Sequence, residues 1–142
     1  FGGGTTGSYV TTVDKFDFSD DSRSTLGTGL SAATYAIAAM ANSGTAGYFG
    51  GGYVAGYVST VDKFAFSDDS RSTLGTGLSA ARHSLAGMAN SGTAGYFGGG
   101  TTGSYVTTVD KFAFSDDSRS TLGTGLSGTR DRLAAFADTS GL

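Results

Sequence analysis

One 48-residue unit, written three times with small changes, governs what this chain can fold into. Tyr48-Phe49-Gly50-Gly51-Gly52 returns as Tyr96-Phe97-Gly98-Gly99-Gly100, a step of 96 − 48 = 48. Val13-Asp14-Lys15-Phe16 returns at Val61-Asp62-Lys63-Phe64 and Val109-Asp110-Lys111-Phe112 with the same step. A fixed period in this range marks a propeller or solenoid, in which each unit buries its apolar face on its neighbours. The units run 1–48, 49–96 and 97–142, a single array that ends two residues short of three full units.

The 25 glycines alone would suit a low-complexity chain. Ten Phe, seven Tyr and many Val, Leu and Ala at recurring positions argue instead for ordered β-structure. A net charge of −3, with Lys and Arg placed singly, leaves no basic stripe for nucleic acid and no polybasic membrane patch. No apolar run approaches the ~20 residues of a membrane span. The absence of cysteine excludes disulfides and thiolate metal or redox sites. A start at Phe1 rather than Met is expected of a processed or trimmed product.

Within the second unit, Tyr57 to Phe66 is rich in aromatic and β-branched residues, with large apolar groups in both alternating sets. That pattern predicts a strand packed on both faces. Ser67-Asp68-Asp69-Ser70 supplies turn chemistry. Ser72 to Leu78, interrupted by Gly75 and Gly77, reads as a weak outer strand. Ala81 to Met88 reads as a strand of small residues for a crowded inner position. Ala36-Ile37-Ala38-Ala39-Met40 has helical propensity, but its copies carry Gly87, Ser84 and Asp131, which favours strand. Ala89-Asn90-Ser91-Gly92 is a predicted hairpin turn leading to a strand over Thr93 to Gly99. Four antiparallel strands per unit describe a propeller blade.

The Tyr-Phe-Gly-Gly strand end, the Val-Asp-Lys-Phe strand and Leu78-Ser79-Ala80-Ala81-Arg82 before a short strand together resemble the kelch repeat. The resemblance covers all three units. It implies an all-β propeller of four-stranded blades, with Leu26, Leu74 and Leu122 near the position where that family usually carries Trp.

Residues able to carry chemistry are few. His83 is the only histidine, and its copies are Tyr35 and Asp131, so neither a triad nor a zinc site assembles around it. The resemblance extends to copper-holding kelch oxidases, but their Cys-crosslinked ligand set cannot be built here. The turns Asp20-Asp21, Asp68-Asp69 and Asp116-Asp117 offer oxygen ligands for a hard cation, without EF-hand spacing and with a local turn role to explain them. Gly2-Gly3-Gly4 lacks the Lys-Ser/Thr of a phosphate loop and reads as backbone close approach. No nucleophile has a recurrent base beside it. The expected protein is neither an enzyme nor a cofactor carrier.

The copies diverge in two places. Thr5-Thr6-Gly7-Ser8 becomes Tyr53-Val54-Ala55-Gly56 and then Thr101-Thr102-Gly103-Ser104. Thr34-Tyr35-Ala36-Ile37 becomes Arg82-His83-Ser84-Leu85 and then Arg130-Asp131-Arg132-Leu133. In a four-stranded up-and-down blade both places open on one face, which makes a variable rim. Tyr35, Tyr53, Val54, Arg82, His83, Arg130, Asp131 and Arg132 are its candidate binding residues. The function expected is a protein- or carbohydrate-binding module; the alternative is a structural or decoration component of a virion, fibre or cell surface. Both favour an extracellular or virion-associated setting.

Three blades do not close a ring. Leu142 aligns with Ala94 and Phe1 with Phe97, so only two repeat positions separate one chain's end from another's start. Head-to-tail association of two or three copies would give six or nine blades. Further repeats in a longer polypeptide would serve as well, although the degenerate third copy suits the end of an array.

Overall fold

The computed structural model describes residues 1–137. Those residues hold ten β-strands and no helix. β1 (Asp14–Phe16) and β2 (Arg23–Thr25) form a two-stranded sheet. β3 (Ala38–Asn42), β4 (Ala46–Gly50), β5 (Val61–Ala65) and β6 (Arg71–Thr73) form a four-stranded meander in that order. β7 (Ala86–Asn90), β8 (Ala94–Gly98), β9 (Val109–Ala113) and β10 (Arg119–Thr121) repeat it 86 − 38 = 48 residues later. Every pairing is antiparallel.

The hairpins follow from local chemistry. Thr45 N–H donates to Asn42 O and Thr93 N–H to Asn90 O, both at 3.0 Å. Gly44 and Gly92 take φ of 71° and 79° in these turns, a conformation that a Cβ disfavours. The helix-prone run Ala36 to Met40 enters β3, because pairing with β4 buries Ala38, Met40 and Asn42 on one face. Tertiary pairing overrides a propensity difference that is small per residue.

The outer and inner strands are shorter than their sequence pattern suggests. Only Val61–Ala65 of the Tyr57–Phe66 run joins the ladder, and Val61, Asp62 and Phe64 are buried there on its two faces. Beyond Thr73 the chain leaves β6 and tucks under Ser59. A Cβ on Gly77 would stand 2.2 Å from Ser59 O. Ala81 to Leu85 bends rather than extends, with Ser84 at φ 56°, and β7 begins only at Ala86. The boundaries of the 48-residue units also fall inside strands: β4 straddles residues 48 and 49, and β8 straddles 96 and 97. Each four-stranded sheet therefore draws its two inner strands and its two outer strands from different sequence copies.

The main core lies between the two four-stranded sheets, where Met40, Tyr48, Val61, Leu78, Leu85, Phe97 and Phe112 pack together. Close approach is possible because glycine faces the neighbouring sheet. A Cβ on Gly87 would meet Ala39 O at 2.1 Å, and one on Gly95 would meet Met40 Sδ at 2.1 Å. A second cluster of Val13, Leu30 and Phe64 joins the two-stranded sheet to its neighbour.

Candidate functional site

Two loops per unit meet on one face of the molecule. Gly51 and Gly52, at φ 67° and 105°, turn the chain sharply out of β4. Tyr53 then exchanges backbone hydrogen bonds with Tyr35, N–H to O in both directions at 2.9 and 3.2 Å. His83 and Thr101 make the same exchange at 3.2 and 3.0 Å. The loop after each second strand and the approach to each first strand are thus joined, as the divergence between copies suggested. A backbone chain crosses the units as well: Ser84 N–H donates to Ala36 O and Arg132 N–H to Ser84 O, each at 2.8 Å. Ala36, Ser84 and Arg132 all hold positive φ of 50–56°, a costly conformation for residues with a Cβ.

The side chains gathered here are aromatic. Tyr9 stacks on Tyr35 with centroids 4.6 Å apart, and Tyr35 lies 5.6 Å from Tyr53. Tyr53 meets Tyr57 edge-on at 5.7 Å, and Tyr57 lies 4.9 Å from His83. His83 also approaches Tyr53 at 5.9 Å, closing the cluster. His83 Nδ1 lies 2.7 Å from Ser84 Oγ. Burial, with Tyr35 and Tyr53 close by, pushes the Tyr9 hydroxyl above the ordinary tyrosine range, so it remains a proton donor.

Of the residues singled out from divergence, Tyr35, Tyr53 and His83 come together here. Val54 sits in the Tyr53–Gly56 turn, donating its N–H to Gly56 O at 3.0 Å. Arg130 is exposed, and its guanidinium donates to Ser127 Oγ and Gly128 O at 3.0 and 3.2 Å. Arg132 lies 3.6 Å from Asp131. Arg82 corrects the expectation for its position: its side chain has no solvent exposure and forms an ion pair with Asp110 at 3.0 Å. It is a structural cation, not a rim residue. Tyr9 and Tyr57 were missed because they recur in every copy and so show no divergence. Their 48-residue recurrence at the edge of the variable loop was the available signal.

The acidic turns are committed locally and between sheets. Asp20, Asp68 and Asp116 accept the N–H of the residue two positions on, at 2.9–3.0 Å. Asp69 and Asp117, both at positive φ, reach the preceding sheet, where Lys15 and Lys63 donate to them at 2.8 and 2.6 Å. Asp21 shares the turn conformation at φ 57°. Among the described residues no three His, Asp or Glu side chains converge on a metal-sized site.

A groove of about 540 Å³ lies elsewhere, between the two-stranded sheet and its neighbour, lined by Val13, Phe16, Met40, Tyr48, Phe49 and Phe66 among others. No protein-family model and no curated protein sequence matches the chain.

Proposed function

We propose that this protein is a non-catalytic, kelch-like β-propeller module that binds carbohydrate on its tyrosine face. The propeller reading is supported by two four-stranded antiparallel meanders, offset by 48 residues and packed against one another. The binding reading rests on one observation: Tyr9, Tyr35, Tyr53, Tyr57 and His83 form a continuous, partly exposed aromatic cluster on loops held by a rigid backbone ladder. Aromatic rings offer flat apolar faces for the C–H side of a sugar ring, and the hydroxyl and imidazole edges supply hydrogen bonds. None of the five side chains carries a formal charge at neutral pH with His83 unprotonated, which suits a neutral glycan over an acidic one. The backbone positions are already set, so little ordering entropy opposes binding.

A glycan array probed with the protein, followed by calorimetric titration of any hit, tests this. Tyr35→Ala and Tyr53→Ala should each weaken binding by about tenfold or more, on the scale of one lost aromatic contact. Absence of any glycan ligand, or binding indifferent to both substitutions, overturns the reading. A protein ligand lost on the same substitutions would favour the alternative that tyrosine-rich recognition surfaces also serve.

A further inference from the structure

Three contacts recur at fixed intervals between successive parts of this chain, and at each end one half of every contact stands without its mate. The first is a ring over a glycine. Phe49 covers Gly2, where a Cβ would lie 2.9 Å from its Cζ, and Phe97 covers Gly50 at 2.7 Å. The third glycine, Gly98, has no ring near it, only Val109 and Leu126 methyls at 3.4 and 3.9 Å. The first phenylalanine of the series, Phe1, is 86% exposed.

The second contact is an ion pair across 54 residues, Lys15 to Asp69 and Lys63 to Asp117. Tyr48 Oη also donates to Asp117 at 2.8 Å. Among the described residues, Lys111 at one end and Asp21 at the other have no such partner. The third is a carboxylate clasp across 31 residues. Ser31 N–H and Oγ–H donate to Asp62 Oδ2, and Ser79 does the same to Asp110 Oδ2, at 2.8–2.9 Å. Arg82 adds its guanidinium to the second clasp. Ser127 and Arg130 repeat the donor side, already hydrogen-bonded to each other at 3.0 Å. Asp14 repeats the acceptor side; its Oδ1 is taken by Thr25 and Arg23, as Asp110 Oδ1 is by Thr121, and its Oδ2 has no partner among the described residues.

Lys111 and Arg130 thus face outward at one end and Asp14 and Asp21 at the other, with matching geometry. We propose that this chain docks head to tail onto a second copy of itself. In that contact Phe1 of one copy covers Gly98 of the next, Asp21 meets Lys111, and Asp14 closes on Ser127 and Arg130. The 540 Å³ groove beside β1 is where the two-stranded sheet lacks inner strands, and it takes Ala134-Ala135-Phe136-Ala137 of the copy. That segment aligns with β3 and β7 (134 − 86 = 48), lies unpaired beside Met88 and Asn90, and leaves Phe136 88% exposed. The contact is heterologous, so it propagates until a ring closes, or runs on as a filament if the rotation does not close.

Sedimentation velocity and native mass spectrometry of the 142-residue chain test this, with the variants compared at one concentration. The wild type should form dimers, trimers or longer head-to-tail assemblies. Arg130→Ala and Asp14→Ala should each weaken association by about 100-fold or more, since either leaves a charge unpaired in a closed interface. Circular dichroism at a dilution where the wild type dissociates should show unchanged β-structure for both. Asp21→Lys and Lys111→Asp should each impair self-association, and an equimolar mixture of the two should recover even-numbered assemblies. A wild type that stays monomeric at high concentration overturns the proposal. So does assembly that all four substitutions leave untouched.

Discussion

Arg82 Nη2 lies 3.0 Å from Asp110 Oδ2, and neither side chain touches solvent. Burial alone would raise the Asp110 carboxyl. Hydrogen bonds from Thr121 and Ser79, together with the Arg82 charge, outweigh it and hold the group below the usual carboxylate range. Burial drives the Arg82 guanidinium the other way, below its ordinary value, with Asp110 opposing the shift. The pair ties the segment leading into β7 to the third strand of the same sheet, and Arg82 reaches the intervening strand as well, donating to Phe97 O at 3.1 Å.

Arg82→Met should therefore destabilise the fold by about 3 kcal/mol, the low end for breaking a buried pair, because Ser79 and Thr121 still serve the stranded carboxylate. Urea denaturation measures it. A loss under about 1 kcal/mol would show that the pair contributes little.

Acid should act through the same carboxylate. Its folded-state pKa is lowered, so between that value and the unfolded value of about 3.9 the unfolded chain binds the extra proton. Stability is then fully present above about pH 4 and falls as the pH drops through the folded pKa. Asp14, lowered mainly by the Thr25 hydrogen bond, adds in the same direction but from an exposed site. Asp110→Asn should lower stability at neutral pH and flatten the acid limb of a melting-temperature profile. An acid limb unchanged in that variant would assign the effect to other groups.

Two glycines in the inter-sheet contact should respond differently to the same added methyl. Gly87→Ala drives a Cβ onto the backbone oxygen of Ala39, whereas Gly95→Ala meets the Met40 thioether. Backbone in a ladder cannot yield and a methionine can swing aside, so Gly87→Ala should cost about 3 kcal/mol and Gly95→Ala closer to 1 kcal/mol. Gly123→Ala, with open space around it, is the neutral control. Thermal denaturation of the three variants orders them, and an inverted order would contradict the packing described.

Phe16, Phe64 and Phe112 occupy one sequence position, yet are 41%, 4% and 0% exposed. Phe112→Ala should cost about 3–5 kcal/mol, as a buried ring facing Phe97 at 5.9 Å. Phe16→Ala, measured where the chain is monomeric, should cost about 1 kcal/mol or less. Equal losses at both positions would mean that the groove beside β1 is closed in solution.

Much of the architecture was legible before any coordinates. The 48-residue step, the Asn-Ser-Gly hairpins and the two-sided apolar strand at Val61 each follow from local chemistry that acts within a few residues. The rim's location was legible too, because divergence between copies marked Tyr35, Tyr53 and His83. Strand ends were not: β6 and β7 stop where Gly77 and Ser84 answer to neighbours 18 and 48 residues away, Ser59 and Ala36. Arg82 read as a surface cation because its partner, Asp110, lies 110 − 82 = 28 residues further on.

The sequence by itself determined a repeating all-β chain, with its turns and its variable loops, because those depend on backbone preference and periodicity. Only the tertiary structure decided which of three identical phenylalanines is core, which arginine is buried, and which tyrosines form one face. Burial depends on what lies on the far side of a sheet, and identical residues in successive copies do not have the same neighbour.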